Sequence, residues 1–309
     1  MSDLRREEVT RQESVQRLVD EELQSLGLKA AQRRPEFNFL HVYEFGEKND
    51  IWIVSFHHGK ANEVGSSILE ELQRLIDVLE GPSAPICLIS LSTRRSQRGK
   101  AIFISGANVT EREGWSDERV KAHVRHQRSL LGRLRDAPVF HICLINGVAL
   151  GWGTEYLITA DYKLVGPEAG FALPETGLGI LPGAGGTSEL PSLIGLAHTL
   201  RLGMTGELIS ANEAIRIGLA QEECTDLQTG VERALNLASL AIKRSPTAIA
   251  AFKRAALGSI GLNQEERREA EAQAYEHCVE SGQAAIGRRD FALIRAGETP
   301  DWGPRQSTL

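Results

Sequence analysis

Two glutamates, and the glycine turns beside them, are the residues of this sequence best suited to do chemistry. Glu155 lies in NGVALGWGTEY (146–156) and Glu175 in GFALPETGLG (170–179). A further turn, ISGAN (104–108), follows a short apolar run. A glycine-rich turn that opens a helix exposes unpaired backbone N–H groups and the positive end of the helix dipole. Such a place suits a phosphate, a carboxylate, or an oxygen that becomes negative during a reaction. Two such turns converging would make a two-donor oxyanion hole. Two carboxylates close by could then serve as general acid and general base, if burial moved one pKa towards neutral. Spacing alone does not demand this, because Glu155 also reads as a helix-dipole residue and Glu175 as a solvated loop acid. Trp152 is the odd residue, a large indole between Gly151 and Gly153.

The surrounding pattern predicts the elements that must hold these turns. FNFLHVYEF and DIWIVSFHH read as strands around the turn GEKND. SSILEELQRLIDVLEG repeats Ile and Leu at helical spacing and stops at Gly81. APICLISLS, AIFIS and PVFHICLING read as buried strands, YKLVG and GFALPE as short ones. Ser116 is placed to cap the helix DERVKAHVRHQRSLLGRLRD, whose first turn carries Asp117 and Glu118 as the dipole prefers. From Gly185 to about Ile294 the pattern is mostly helical. Apolar strands alternating with helices indicate an α/β core with parallel strands. Residues 1–34 predict a charged helical extension with a sparse stripe of Val9, Val15, Leu18, Leu23 and Leu26. That stripe reads as a solvated arm before it reads as a partner-binding one.

Composition narrows the function classes. The chain has 309 residues, 41% hydrophobic, enough for one large domain with appendages. A formal net charge of -6 leaves no general basic footprint, which argues against nucleic acid as the main partner. Cys87, Cys143, Cys224 and Cys278 are scattered without metal-ligand spacing and read as reduced thiols. His57 and His58 stand together beside Lys60 but have no third ligand at plausible spacing, so no metal is expected. No apolar run approaches the roughly 18 residues of a membrane span. The N-terminal stretch lacks the apolar core of a secretory signal and is too acidic for a mitochondrial presequence, so a cytoplasmic protein is expected.

The long segment 146–190, NGVALGWGTEYLITADYKLVGPEAGFALPETGLGILPGAGGTSEL, resembles the signature region of the enoyl-CoA hydratase/isomerase (crotonase) superfamily. There NGxAxGGGxEL is followed by xCD and then by FGxPExxLGxxPGxGGT. HHGKANEV resembles the family's NRPxxxNAL turn, KAIFISGANV its KAFxAGAD turn, and TGELISANEAIRIGLAQE its TGxxxxAxEAxxxGLV helix pair. The resemblance covers roughly residues 37–297 and leaves out the N-terminal arm. It implies a crotonase-like ββα spiral core over 35–200 and a C-terminal helical trimerisation region over 201–309, with assembly into a homotrimer or a hexamer of two trimers. It also implies an acyl-CoA thioester as substrate and no separate cofactor.

By the same resemblance, Glu155 and Glu175 fall on the family's catalytic glutamates, and the amides of Ala107 and Trp152 on its oxyanion hole. Glu175 would transfer the proton at C2 while Glu155 orients water. Substrate contacts are implied for Lys60, Asn62, Ser105, Gly106, Asn108, Gly151, Pro174, Gly183 and Tyr275. The basic run RRSQRGK reads as a solvated loop before it reads as a contact for the acidic nucleotide end of CoA. The implied reaction is addition of water across the 2,3-double bond of an enoyl-CoA. The alternatives are a sibling isomerase, decarboxylase or C–C hydrolase using the same oxyanion hole, or a non-catalytic CoA-binding protein whose site the indole blocks. Departures from the family pattern are Trp152 for a glycine, Asn108 for Asp, Ala172 for Gly, and Ile294 beside Arg295 where the family has a lysine.

Overall fold

A computed structural model describes residues 2–306, with side chains from Gln12 onward. The predicted apolar runs form two sheets. The larger holds, in spatial order, β1 (Gln32–Arg33), β2 (Leu40–Phe45), β3 (Ile51–Phe56), β4 (Cys87–Ser92), β6 (Phe140–Ile145), β8 (Tyr162–Val165) and β11 (Glu222–Glu223). Strands β2 and β3 form an antiparallel hairpin with Leu40 opposite Phe56, and every pair from β3 to β11 is parallel. The smaller sheet runs β10 (Ile209–Ser210), β9 (Gly170–Ala172), β7 (Val148–Leu150) and β5 (Ile102–Ile104), parallel except at β10.

Both faces of the larger sheet are covered, which is why its central strands read as unbroken apolar runs. Trp52, Val54 and Phe56 of β3 enter a core shared with α2 (Ser66–Glu80), α3 (Asp117–Asp136) and α4 (Trp152–Ile158). Ile51 and Ile53 of the same strand face the other way, into a core closed by α1 (Ser2–Ser25) and α7 (Leu227–Ala241). Helix α2 buries Ile68, Leu69, Leu72, Leu75, Ile76 and Leu79 and stops at Gly81, as its pattern predicts. Ser116 caps α3, its hydroxyl accepting the Arg119 N–H at 3.3 Å.

Helix α1 departs from the expectation of a solvated arm. Val19 and Leu23, with Leu26 and Leu28 just beyond the helix, are buried against Tyr43, Ile53, Ile89 and Leu91. Burying an aliphatic side chain contributes about 1.5–3 kcal/mol, so the second half of α1 is part of the core. Polar contacts fix the register: the Tyr43 hydroxyl donates to Asp20 at 2.7 Å, and Gln16 donates to both Asp20 and Tyr43. Leu18 of the predicted stripe is exposed, and the side chain of Val9 lies outside the described residues. A charged helix with a thin stripe looks solvated until a complementary sheet face covers it.

The remaining chain is α5 (Gly186–Thr205), α6 (Ala211–Arg216), α8 (Pro246–Gly258), α9 (Gln264–Glu280), α10 (Gln283–Arg289) and α11 (Phe291–Arg295). Gly195, at φ 77°, interrupts α5. After α11 the tail returns to the core. The buried guanidinium of Arg305 donates to the carbonyls of Pro138 at 2.8 Å and Leu79 at 3.1 Å, and to that of Gly81. The last two belong to the C-terminal end of α2, where carbonyls lack helical partners and a cation is favoured. Among the described residues, no helix is long and apolar enough to cross a membrane.

Candidate active site

The smaller sheet positions the site. Its strands β5, β7 and β9 are parallel neighbours, with Ile104 opposite Ala149 and Leu150 opposite Ala172. Three residues beyond Ile104, Ala149 and Ala172 stand Ala107, Trp152 and Glu175. All three therefore leave the sheet at one edge, at the carboxyl ends of parallel strands, where α/β proteins commonly build their sites.

At Ala107 the backbone is turned outward by a single parallel bridge to Val64. Val64 N donates to Gly106 O and Asn108 N to Val64 O, both at 2.9 Å. Those bonds use the neighbours of Ala107 and leave its own N–H facing away from Val64. Gly106, at φ 128°, makes the turn. The second amide belongs to Trp152, the first residue of α4, where an N–H has no intrahelical acceptor. Neither amide has an acceptor among the described residues.

The turn before α4 takes its positive φ at Gly151 (φ 53°, ψ −118°), so Trp152 itself is unstrained. The indole of Trp152 is buried in the core, its ring 5.6 Å from that of Tyr156, and its Nε1 has no partner among the described residues. The side chain thus packs in the core, and the amide is left without an acceptor among the described residues. Helix α4 is held tightly. The Thr154 hydroxyl bonds the carbonyls of Ala149 (2.8 Å) and Ala172 (2.9 Å), and the Tyr156 hydroxyl bonds Ser90 at 2.8 Å. Gly153 is needed because a Cβ there would run into the carbonyl of Ile104.

Glu155 is 3% exposed. Its Oε1 accepts the N–H groups of Ala184 (2.7 Å) and Gly186 (2.9 Å), in the PGAGG turn that opens α5. Burial raises its pKa, while those two hydrogen bonds and the charge of Arg128 oppose the rise. Glu175 is half-buried in a 3-10 turn, Pro174–Leu178. Its Oε1 lies over Gly151, 2.6 Å from the point where a Cβ would be, and its Oε2 is buried without a partner among the described residues. Burial pushes Glu175 up to about 7, with the charge of Glu155 adding to the rise. The carboxylate with two N–H donors is the better anion, so the proton belongs on Glu175.

The other expected contacts divide. Gly183 sits beside the Glu155 turn; a Cβ there would be 2.7 Å from Val124, and its carbonyl accepts from Arg128 at 2.7 Å. Ser105 and Gly106 shape the turn at Ala107 through Ser105 N to Ala61 O at 3.1 Å and the Gly106–Val64 bond. Lys60 and Pro174 are exposed.

Asn62, at φ 56°, is buried and fully engaged: it accepts from His58 N at 2.7 Å and donates to Ser92 at 3.0 Å and Phe103 O at 2.7 Å. It therefore shapes the β3 turn rather than offering a free side chain to substrate. Asn108 likewise turns back on its own loop, accepting from Thr110 at 2.7 Å. Tyr275 is exposed on α9 and lines a groove with Phe252, Ala255 and Cys278, apart from the two acids. In the basic run, Arg95 is drawn to Glu168 at 3.3 Å, while Arg98 and Lys100 are exposed. The amides of Ala184 and Gly186 were not anticipated; the PGAGG turn was their only signal.

Comparison with known proteins agrees with this geometry. Residues 49–298 match the family model described as enoyl-CoA hydratase/isomerase. The crystal structure of an enoyl-CoA hydratase from Bacillus anthracis is 30% identical, covering 85% of this chain and 98% of that one at a TM-score of 0.75. Pseudomonas aeruginosa DspI is 26% identical, covering 86% of this chain and 97% of its own at 0.76. An enoyl-CoA hydratase from Mycobacterium smegmatis shares the fold at 18% identity, with coverage of 85% and 98% and a TM-score of 0.73. With a family match over most of its length, the chain belongs to the enoyl-CoA hydratase/isomerase (crotonase) family.

Proposed function

We propose that the protein is an enoyl-CoA hydratase that adds water across the 2,3-double bond of an acyl-CoA thioester. The observation that carries this reading is the pairing of Glu155, whose carboxylate accepts two backbone N–H groups, with Glu175, which burial and the charge of Glu155 push up to about 7. A thioester oxygen between the amides of Ala107 and Trp152 would be stabilised as it gains enolate charge, by about 3 kcal/mol per donor. Glu155 takes a proton from water as the water oxygen bonds C3. The π electrons move into the enolate, and Glu175 delivers its proton to C2. The product is a 3-hydroxyacyl thioester, and the proton gained by Glu155 exchanges back to restore Glu175. CoA belongs to the substrate, so this reading needs no separate cofactor.

The test follows crotonyl-CoA by loss of its conjugated absorbance and identifies the product. Release of 3-hydroxybutyryl-CoA supports the proposal, whereas a shifted double bond or a free acid would point to sibling chemistry. The pH profile has a definite sign. Hydration needs Glu175 protonated, so kcat/KM should fall as pH rises through about 7. It should fall again in acid as Glu155 becomes protonated. A rate that stays flat from neutral to alkaline pH would remove Glu175 as the acid.

We also propose a homotrimer, or a hexamer of two trimers. Met204, Leu208, Phe252, Tyr275 and Phe291 are exposed on the C-terminal half, and such apolar surface marks association sites. Light scattering should give three or six times the chain mass; a monomer at micromolar concentration would refute it.

A further inference from the structure

Beside the oxyanion turn the protein buries two nitrogen donors that it does not use. Arg112 ends a 3-10 turn, Thr110–Arg112, that starts three residues after Ala107, and its Nε is buried with no acceptor among the described residues. Gln127 is 3% exposed among Leu130, Leu131 and Leu134 on the buried face of α3, and its Nε2 likewise has no acceptor among the described residues. The one link between them is Arg112 Nη2 to Gln127 Oε1 at 3.4 Å, long for a hydrogen bond.

This side of α3 walls the catalytic site. Val124 abuts Gly183, and Arg128 bonds the carbonyl of Gly183, next to the Ala184 amide that holds Glu155. Gln127 lies between Val124 and Arg128 in the helix, on the face turned inward. His123, one turn before Gln127, packs edge-on against Trp115 at 5.1 Å and feels the charge of Arg112. Glu111 is close enough to influence Arg112, yet its oxygens are taken by the N–H of Ser66 at 2.9 Å and by the Ser66 hydroxyl. Buried donors without acceptors are costly and uncommon in folded proteins. A pocket for a plain hydrocarbon tail would gain by apolar residues at both positions.

We propose that Arg112 and Gln127 recognise a carboxylate at the far end of the acyl chain, so that the preferred substrates are ω-carboxyacyl-CoA thioesters. The guanidinium edge and the amide N–H supply directed donors that a carboxylate's oxygens can accept together. The inference rests on the acyl-CoA reading above and narrows its substrate class.

The test uses saturated thioesters, which bind but cannot be hydrated. Calorimetry compares succinyl-, glutaryl- and adipyl-CoA with butyryl-, pentanoyl- and hexanoyl-CoA of equal carbon number. At least one carboxylated ligand should bind about tenfold or more tightly than its methyl-ended counterpart, the scale of a charge-assisted pair. Arg112→Met combined with Gln127→Leu should abolish that preference and leave butyryl-CoA binding intact. Gln127→Glu, nearly the same size, should also abolish it by setting like charges together, which guards against a double variant that does not fold. Tighter binding of the methyl-ended ligand at every length, or a preference that survives these variants, would overturn the proposal. Hydration of crotonyl-CoA without any carboxylate preference would sink this inference alone. A carboxylate preference in a protein that hydrates no enoyl-CoA would uphold it and sink the hydratase reading instead.

Discussion

Glu155→Gln and Glu175→Gln should each lower the rate of crotonyl-CoA hydration by about 10²–10⁴-fold, the range for loss of a positioned acid or base. The amide in place of Glu175 has no proton to give C2. The amide in place of Glu155 can still accept the Ala184 and Gly186 N–H groups through its oxygen, so the PGAGG turn stays in place. It cannot, however, take a proton from water. Both variants should therefore remain folded and bind CoA thioesters while losing turnover. The double variant should be little worse than the poorer single one, because the two acids act as a unit. Steady-state rates with a thermal melt decide the matter. Either single variant retaining more than about a tenth of the wild-type rate would remove that glutamate from proton transfer.

Gly151→Ala should cost about 10²-fold or more in kcat, with a loss of stability of about 1–3 kcal/mol. Gly151 has φ 53° and ψ −118°, a conformation that a side chain makes strained. The new Cβ would also lie 2.6 Å from Glu175 Oε1. Relief requires either that Glu175 move off the turn or that the peptide at 151–152 rotate. The first displaces the acid, and the second turns the Trp152 amide away from the substrate oxygen. Trp152→Phe is the contrasting control. It keeps the amide and removes a buried indole N–H that has no partner, which offsets part of the lost packing. That variant should hydrate crotonyl-CoA within about threefold of wild type, since one backbone donor carries the effect. If Gly151→Ala stays active, or if Trp152→Phe loses activity as Gly151→Ala does, the role given to this turn is wrong. Urea midpoints measured beside kcat separate strain from displacement of the site.

The local elements around these residues were written in short-range pattern. The helix ending at Gly81, the cap at Ser116 and the buried strands follow from spacing and capping, because those signals report each residue's backbone state and its immediate neighbours. The acids, too, were legible, through the run of glycines and prolines from Asn146 to Leu190 and its resemblance to a known signature. The three-residue strand β7 was not, although β5 and β9 of the same length were: it follows β6 within one apolar run, and its pairing partners lie far along the chain.

Tertiary structure alone decided which faces were covered and which groups were consumed. It laid α1 on the sheet, turned the Trp152 indole into the core, and spent the Asn62 side chain on the backbone of its own turn. It also left the donors of Arg112 and Gln127 without acceptors. Sequence periodicity tells which side of an element is apolar. It carries no record of what arrives from a distant segment to bury that side, or of which polar atom is left unmatched when it does.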